Sequence, residues 1–144
     1  MGIPVTIHAG EASGPESVYD ALDLFKARRI GHGIRSVEDA ALVKRLADEN
    51  IGLEVCLTSN LQTGNATSYK DHPFLHLKQA GVLVTLNTDD PTVSGIDLNH
   101  EWKVAMKEYG FTPAERKALL RNSVAVAFCD DRLKEKLRQQ IEAV

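Results

Sequence analysis

The sequence of 144 residues has no apolar run near the roughly 20 residues that a membrane span requires. The region after Met1 also lacks the basic and apolar segments of a signal peptide, so none is expected. Lysine and arginine number 17 against 20 acidic residues, and this net charge of -3 argues against a nucleic-acid-binding surface. We therefore expect the chain to bind neither membranes nor nucleic acids.

Cysteine is scarce. Cys56 and Cys129 lie far apart, and their spacing fits neither a metal-binding motif nor a disulfide scaffold. Two free thiols favour a reducing cytoplasm as the location of the protein. Linkers, repeats and low-complexity segments are also absent, and the 43% hydrophobic content is that of a globular protein. The sequence therefore predicts a single domain over residues 1–144 with a real core.

Four short apolar, β-branched segments alternate with helical patterns, at residues 4–7, 29–31, 51–56 and 82–86. This alternation predicts an α/β fold of parallel βα units. Such a sheet belongs either to an open doubly wound fold or to part of a (β/α)8 TIM-type barrel. A full barrel typically needs about 250 residues, so this chain has about the content of half a barrel.

Three other local predictions follow from the pattern. Residues 57–70 are polar and rich in Ser, Thr, Asn and Gly, which predicts a long loop. Thr112 and Glu115 enclose Pro113 and form a capping box at a helix start. His72 and His76 have the spacing of a helical metal pair, but the adjacent Pro73 favours a helix start with surface histidines.

Reactive side chains follow the ends of the predicted strands, the position where barrel enzymes have their chemistry. An imidazole and a carboxylate are suitable zinc ligands, and a nearby glutamate can move a proton. If the backbone is extended, two adjacent aspartates point to opposite sides, so one could meet a metal and the other a substrate. The stretches concerned are His8-Ala9-Gly10-Glu11, Arg29-Ile30-Gly31-His32-Gly33 and Asn87-Thr88-Asp89-Asp90-Pro91.

Taken together, four blocks resemble the adenosine deaminase family of metal-dependent, barrel-fold purine deaminases, and the bacterial branch is the most similar. The blocks keep the family's order and have similar separations over nearly the whole chain. They are His8-Ala9-Gly10-Glu11, Ile30-Gly31-His32-Gly33, Cys56-Leu57-Thr58-Ser59-Asn60 and Asn87-Thr88-Asp89-Asp90-Pro91.

The resemblance implies roles for five residues. His8 and Asp89 resemble zinc ligands. Glu11 resembles the acid that protonates purine nitrogen N1, and His32 the group that orients and activates the metal-bound water. Asp90 resembles the partner of purine N7. The implied reaction is zinc-dependent hydrolysis of adenosine or deoxyadenosine to the inosine form and ammonia, a step of purine salvage.

The chemistry is consistent with these residue types. A zinc ion lowers the pKa of bound water from 15.7 to about 7, which makes a nucleophile available at neutral pH. Glu11 must be protonated when the substrate binds, and burial against a purine would raise its pKa in that direction.

The family also has a His-x-His pair that supplies two more zinc ligands, and none occurs among the five histidines here. We therefore interpret the chain as the C-terminal half of such a barrel, with the N-terminal half absent. A half-barrel has unpaired strand edges, which predicts self-association or pairing with a complementing half.

Three alternatives stay open. The chain could be a non-catalytic half-barrel or pseudoenzyme that works only with a complementing half. It could be an adenine deaminase, although that group tends to have Asp at the position of Gly31. A different chemistry would use the Cys56 thiol as a nucleophile with His32 as its base.

Overall fold

A parallel sheet of four strands forms the centre of the protein. The computed structural model describes residues 2–143. The strands are β1 (Thr6–Ala9), β2 (Arg29–His32), β3 (Gly52–Val55) and β4 (Leu83–Leu86). All neighbouring pairs are parallel, and the spatial order β1-β2-β3-β4 is the order of the chain. The prediction of parallel βα units is therefore confirmed.

The order of the strands distinguishes between the two predicted architectures. A doubly wound sheet reverses its strand order at a switch point, where the chain returns to the middle of the sheet. Over residues 2–143 the strands follow one another without such a reversal. This is the arrangement of consecutive strands in a (β/α)8 barrel.

Eight helices and one 3₁₀ helix connect the strands or follow them within the described residues. Most of them begin at residues that the sequence marks as helix starts, such as Pro15 at the first turn of α1 and the N-cap residues Asp97 and Asp130. The helices are α1 (Pro15–Asp23), α2 (Ala40–Asp48), α3 (Leu57–Gln62), α4 (Phe74–Gln79), α5 (Pro91–Ser94), α6 (Leu98–Tyr109), α7 (Pro113–Val126) and α8 (Asp131–Glu142), with the 3₁₀ helix at Ile34–Glu38.

Two sequence-based assignments were wrong in detail. The segment 57–70 is not a loop throughout, because α3 begins at Leu57. Its polar residues Thr58, Ser59 and Asn60 are buried. Each has a hydrogen-bond partner elsewhere in the fold, which compensates for the loss of water. Strand β1 lies two residues later than predicted, so His8 is inside the strand rather than after it.

The core lies between the sheet and the helices that cover it. Strand β4 is buried on both faces, as its continuous apolar run predicts, and Thr85 in its middle is 3% exposed. Trp102 of α6 is also buried, as the helical spacing predicts. The largest fully buried side chains include Ile30, Leu42, Leu46, Leu53, Leu57, Phe74, Leu77 and Leu119. No helix among residues 2–143 is long and apolar enough to span a bilayer.

The start of α7 confirms the predicted capping box. Thr112 Oγ1 accepts a hydrogen bond from the backbone N–H of Glu115 at 3.3 Å, and Glu115 Oε2 accepts one from the Thr112 N–H at 3.0 Å. We expect Thr112→Ala to lower the free energy of unfolding by about 1 kcal/mol, because one N–H at the helix end loses its partner. Urea denaturation measures this loss. Thr112→Ser retains the hydroxyl and should stay near the wild-type value, and an equal loss in both variants would contradict the capping role.

Candidate active site

Polar side chains from all four strands meet at the carboxyl edge of the sheet. The parallel register aligns Ala9 with His32 and His8 with Gly31, so the ends of β1 and β2 lie side by side. Asp89 follows β4 and reaches the same edge. A cavity of about 350 Å³ opens there, lined by His8, His32, Glu54, Cys56, Asn87 and Asp89 among others.

Three predicted site residues converge in this cavity. Ring nitrogens of His8 and His32 and a carboxylate oxygen of Asp89 lie within 4.8 Å of one another. The rings of His8 and His32 meet edge to face, with centroids 4.8 Å apart. One imidazole and one carboxylate from this group are a donor set that suits zinc. The convergence follows from the fold, because parallel strands place their carboxyl ends at one edge.

Glu11 lies next to this group. Its Oε2 is 3.4 Å from His32 Nε2, and Asp89 Oδ2 is 3.9 Å from the same nitrogen. The amide of Asn65 donates a hydrogen bond to Glu11 Oε1 at 3.2 Å. The Glu11 side chain is 23% exposed, so its carboxylate is held by Asn65 while remaining partly accessible to solvent.

The backbone at the site adopts unusual conformations. His32 has a φ of 63° and Asp89 a φ of 60°, the left-handed region that residues with a Cβ seldom adopt. Asp89 is therefore not extended, contrary to the expectation for two adjacent aspartates. Local strain of this kind clusters at functional sites, where the surrounding structure holds it.

Gly31 allows His8 to occupy its position. A Cβ built on Gly31 would lie 2.5 Å from Cδ2 of the His8 ring, which is closer than real Cβ contacts. Any side chain at residue 31 must therefore displace that imidazole. The glycine before His32 has this steric role in the structure.

The two aspartates after β4 have different surroundings. Asp89 accepts a hydrogen bond from the Ser59 hydroxyl at 2.7 Å, through Oδ2. Asp90 is the N-cap of α5, and its Oδ1 accepts the backbone N–H groups of Thr92 and Val93 at 2.9 and 3.0 Å. Both of these capping bonds use Oδ1, and Asp90 is not among the residues that line the cavity.

A buried polar chain extends behind His32 and was missed by the sequence analysis. Asn60 lies between His32 and His72, bonded to both, and all three side chains are at most 3% exposed. The prediction that His72 is a surface residue is therefore wrong, whereas His76 is exposed as expected. One signal in the sequence was available, because Asn60 is the last residue of the block Cys56-Leu57-Thr58-Ser59-Asn60 that resembles the family.

Burial controls the protonation of these histidines. It lowers the pKa of His72 to about 4. It also lowers the pKa of His32, although the nearby carboxylates of Glu11 and Asp89 oppose this shift. Both imidazoles are therefore neutral at neutral pH, and each has one N–H and one free nitrogen lone pair.

The Cys56 thiol does not have the environment of a nucleophile. Burial raises the pKa of Cys56 above its usual range, and the carboxylates of Asp89 and Glu101 raise it further. The thiol lies 3.4 Å from the Glu54 carbonyl oxygen, to which it donates. Because the thiolate is the reactive form, these features oppose the thiol hypothesis.

Comparison with known proteins gives consistent results. The family model for adenosine deaminase matches residues 1–144. An adenosine deaminase from Serratia proteamaculans is 45% identical over 140 residues, and one from Shewanella loihica is 48% identical over 130 residues. These matches cover 97% and 90% of this chain.

Solved structures of deaminases and amidohydrolases share the fold. An adenine deaminase from Arthrobacter aurescens superposes with a TM-score of 0.94 at 31% identity, covering 97% of this chain and 43% of that one. A zinc-bound amidohydrolase from Burkholderia ambifaria has a TM-score of 0.82 at 28% identity, covering 98% and 43%. An N6-methyl-AMP deaminase from Arabidopsis thaliana has a TM-score of 0.84 at 32% identity, covering 98% and 41%.

The chain spans 42% of the length of the Serratia relative and 39% of the Shewanella relative. The four-stranded sheet with its helices corresponds to part of the barrel of the solved deaminases. The fold, the sequence motifs and the match of the family model to residues 1–144 all agree. The chain belongs to the adenosine deaminase family, a family of hydrolases.

Proposed function

We propose that this chain contributes the catalytic groups of a zinc-dependent aminohydrolase that converts adenosine or deoxyadenosine to the inosine form and ammonia. The observation that carries the proposal is the convergence of His8, His32 and Asp89 within 4.8 Å, with Glu11 beside them. This pairing of metal-ligand types with a proton-transfer group is what hydrolysis of an aromatic amine at neutral pH requires.

His8 and Asp89 are the proposed zinc ligands. The zinc ion, when bound, would supply a water of lowered pKa as the nucleophile. A catalytic zinc site usually has three protein ligands, and this chain offers two besides His32. We propose that the remaining ligands come from a complementing part of the barrel, because the curated relatives are more than twice as long as this chain.

Glu11 and His32 are the proposed proton-handling groups. Glu11 donates a proton to the purine ring nitrogen N1 as the ring loses aromaticity, and its partly exposed carboxyl lies 3.4 Å from Nε2 of His32, which lines the cavity. His32 orients the attacking water through Nε2, the nitrogen that faces Glu11 and Asp89. Asp90 binds purine N7 through the oxygen that does not cap α5.

The substrate class rests on two observations. The curated relatives are named adenosine deaminases, and residue 31 is a glycine rather than the aspartate that adenine deaminases tend to have at this position. A free adenine base is the second candidate, because an adenine deaminase superposes with a TM-score of 0.94. Turnover of adenosine, deoxyadenosine and adenine by the same sample separates these possibilities. The two unpaired thiols favour a cytoplasmic location for this purine salvage step.

A competing proposal is that residues 1–144 are an inactive half-barrel until another half binds. Within residues 2–143, β1 and β4 each pair on one side only. Unpaired strand edges recruit further strands, so self-association or pairing with a complementing half follows. A monomeric elution volume in size-exclusion chromatography would count against this proposal.

The decisive experiment joins this chain to the part of the Serratia relative that it does not match. We expect the chimera to bind one zinc ion and to deaminate adenosine, with the chain alone as the comparison. Zinc content by atomic absorption and the loss of adenosine absorbance give the two readouts. A soluble, folded chimera that binds no zinc would refute the proposal.

Gly31→Ala in that chimera should weaken zinc affinity by about 10- to 100-fold, since the new methyl group displaces the His8 ring. Competition with a chelator measures the affinity. Gly2→Ala is the matched control, because a Cβ at residue 2 contacts nothing within 4 Å. Unchanged affinity in Gly31→Ala would show that His8 does not ligate the metal.

A further inference from the structure

A chain of buried hydrogen bonds connects the backbone to His32. The N–H of Phe74 is 3.1 Å from His72 Nδ1, His72 Nε2 is 3.1 Å from Asn60 Oδ1, and Asn60 Nδ2 is 3.0 Å from His32 Nδ1. Asn60 is fully buried, and the two rings are 1% and 3% exposed. Each polar atom named here therefore depends on its neighbour in the chain for a partner.

The direction of this chain is fixed at its start. A backbone N–H can only donate, so His72 Nδ1 must accept from Phe74. A neutral His72 then has its proton on Nε2, and Nε2 must donate to Asn60. The atom of Asn60 that faces His72 is therefore the carbonyl oxygen, and the amide nitrogen faces His32.

The same logic determines the state of His32. The Asn60 amide has only N–H groups to offer on that side, so His32 Nδ1 must accept. A neutral His32 then has its proton on Nε2, the nitrogen that faces Glu11 and Asp89 in the cavity. The partner of one ring nitrogen sets the protonation of the other.

We infer that Asn60 and His72 are positioning residues that hold His32 as the Nε2–H tautomer. This inference rests on the proposed function for its catalytic meaning, but the tautomer itself does not depend on any activity. His32 then acts as a hydrogen-bond donor toward the reacting groups. A nitrogen that has a proton has no lone pair for a metal, so His32 is not a ligand in this state.

The energetics favour this arrangement over its alternatives. In the opposite tautomer, His32 Nδ1–H would face the Asn60 amide hydrogens, leaving two donors in contact without an acceptor. A buried polar group without a partner costs about 1–3 kcal/mol. The low pKa of His72, about 4, agrees with an imidazole that accepts at Nδ1 and stays neutral.

The tautomer can be observed directly in the metal-free chain. Long-range proton–nitrogen correlation spectra of the chain with ¹⁵N-labelled histidine distinguish a protonated from an unprotonated ring nitrogen. At about pH 8, well above the ordinary histidine pKa of about 6.5, we expect Nδ1 of His32 and of His72 to be unprotonated and both Nε2 atoms to be protonated. A protonated His32 Nδ1 would overturn the inference without any variant.

Two variants test the origin of the preference. Asn60→Asp has the same shape but presents an acceptor to His32, so the His32 tautomer should invert to Nδ1–H. His72→Gln retains an N–H near the position of Nε2, so the His32 signals should stay as in the wild type. Circular dichroism confirms folding in each case. An unchanged His32 in folded Asn60→Asp would refute the positioning role.

Activity then connects the tautomer to catalysis. In the active chimera, Asn60→Asp should lower kcat by about 10²- to 10⁴-fold with little change in KM, since a wrong tautomer has a penalty of that size in serine proteases. The predicted spectrum without deamination in the wild-type chimera would refute the proposed function and leave the positioning role intact. Deamination by a chimera in which His32 Nδ1 is protonated would refute the positioning role and leave the proposed function intact.

Discussion

Glu11→Gln should lower kcat for adenosine in the chimera by about 10²- to 10⁴-fold, because an amide cannot carry out the proton transfer to N1 that we propose for Glu11. The side chain keeps its shape, and its oxygen can still accept the hydrogen bond from Asn65. A group that acts only in the transition state lowers kcat and kcat/KM equally, so KM should change little. Steady-state kinetics and zinc analysis of the same preparations test both parts.

Glu16→Gln is the matched control for this experiment. Glu16 lies five positions further along the chain, in the first turn of α1, and it is exposed. Its Oε1 accepts the Gly14 N–H at 2.9 Å, a bond that glutamine can also make. Its activity should equal that of the parent. If Glu11→Gln lost less than about ten-fold, or 1.4 kcal/mol, Glu11 would not be the general acid.

The second large effect concerns stability against pH. The free energy of unfolding of the wild-type chain, relative to His72→Gln, should fall by about 3 kcal/mol as the pH decreases from about 6.5 to about 4. Burial lowers the pKa of folded His72 to about 4, whereas an unfolded histidine titrates near 6.5. As the pH falls through this window, His72 is protonated in the unfolded chain before it is protonated in the folded chain. Proton binding therefore favours the unfolded state, and the free energy of unfolding decreases.

The comparison with the variant isolates His72 from other buried groups. The lowered pKa of His32 acts in the same direction as that of His72. Burial raises the pKa of Glu101, so the folded state favours its neutral form and Glu101 acts in the opposite direction. The Glu101 contribution is shared by the wild type and the variant and cancels in the difference, whereas His32 is linked to His72 through Asn60, so the difference reports His72 together with its coupling to His32.

Urea denaturation at a series of pH values measures this difference. His76→Gln is the control, because His76 lies in α4 just after His72 but is exposed and makes none of the buried contacts of His72, so the variant should follow the wild-type pH profile. One part of the stability difference between wild type and His72→Gln is independent of pH, because glutamine does not reproduce the bond to the Phe74 N–H. A stability difference with no further, pH-dependent part between about pH 6.5 and about pH 4 would contradict the prediction.

The sequence was sufficient to predict which strand ends meet, but not what lies behind them. His8, His32 and Asp89 could be placed together because each follows or ends an apolar run, and parallel strands share their carboxyl edge. Glu11 could be added because only two small residues, Ala9 and Gly10, separate it from His8. The roles of these residues stay predictions, but their proximity is a property of the fold.

Buried polar residues were the part that sequence reasoning could not reach. Ser59, Asn60 and His72 look like solvent-exposed residues, because their polarity is visible in the sequence and their partners are not. The partner of Asn60 is 28 positions earlier in the chain, and that of Ser59 is 30 positions later. Only the packing of α3 against the strand ends brings these groups together.

The order of the strands has a consequence for how the protein folds. Each strand pairs with the one synthesised just before it, so every pairing closes a segment of only a few tens of residues. The entropic cost of such closures is small and grows slowly with length. These four strands can therefore be added one after another as the chain leaves the ribosome, and His8, His32 and Asp89 come together only when β4, the last of the strands described in residues 2–143, is added.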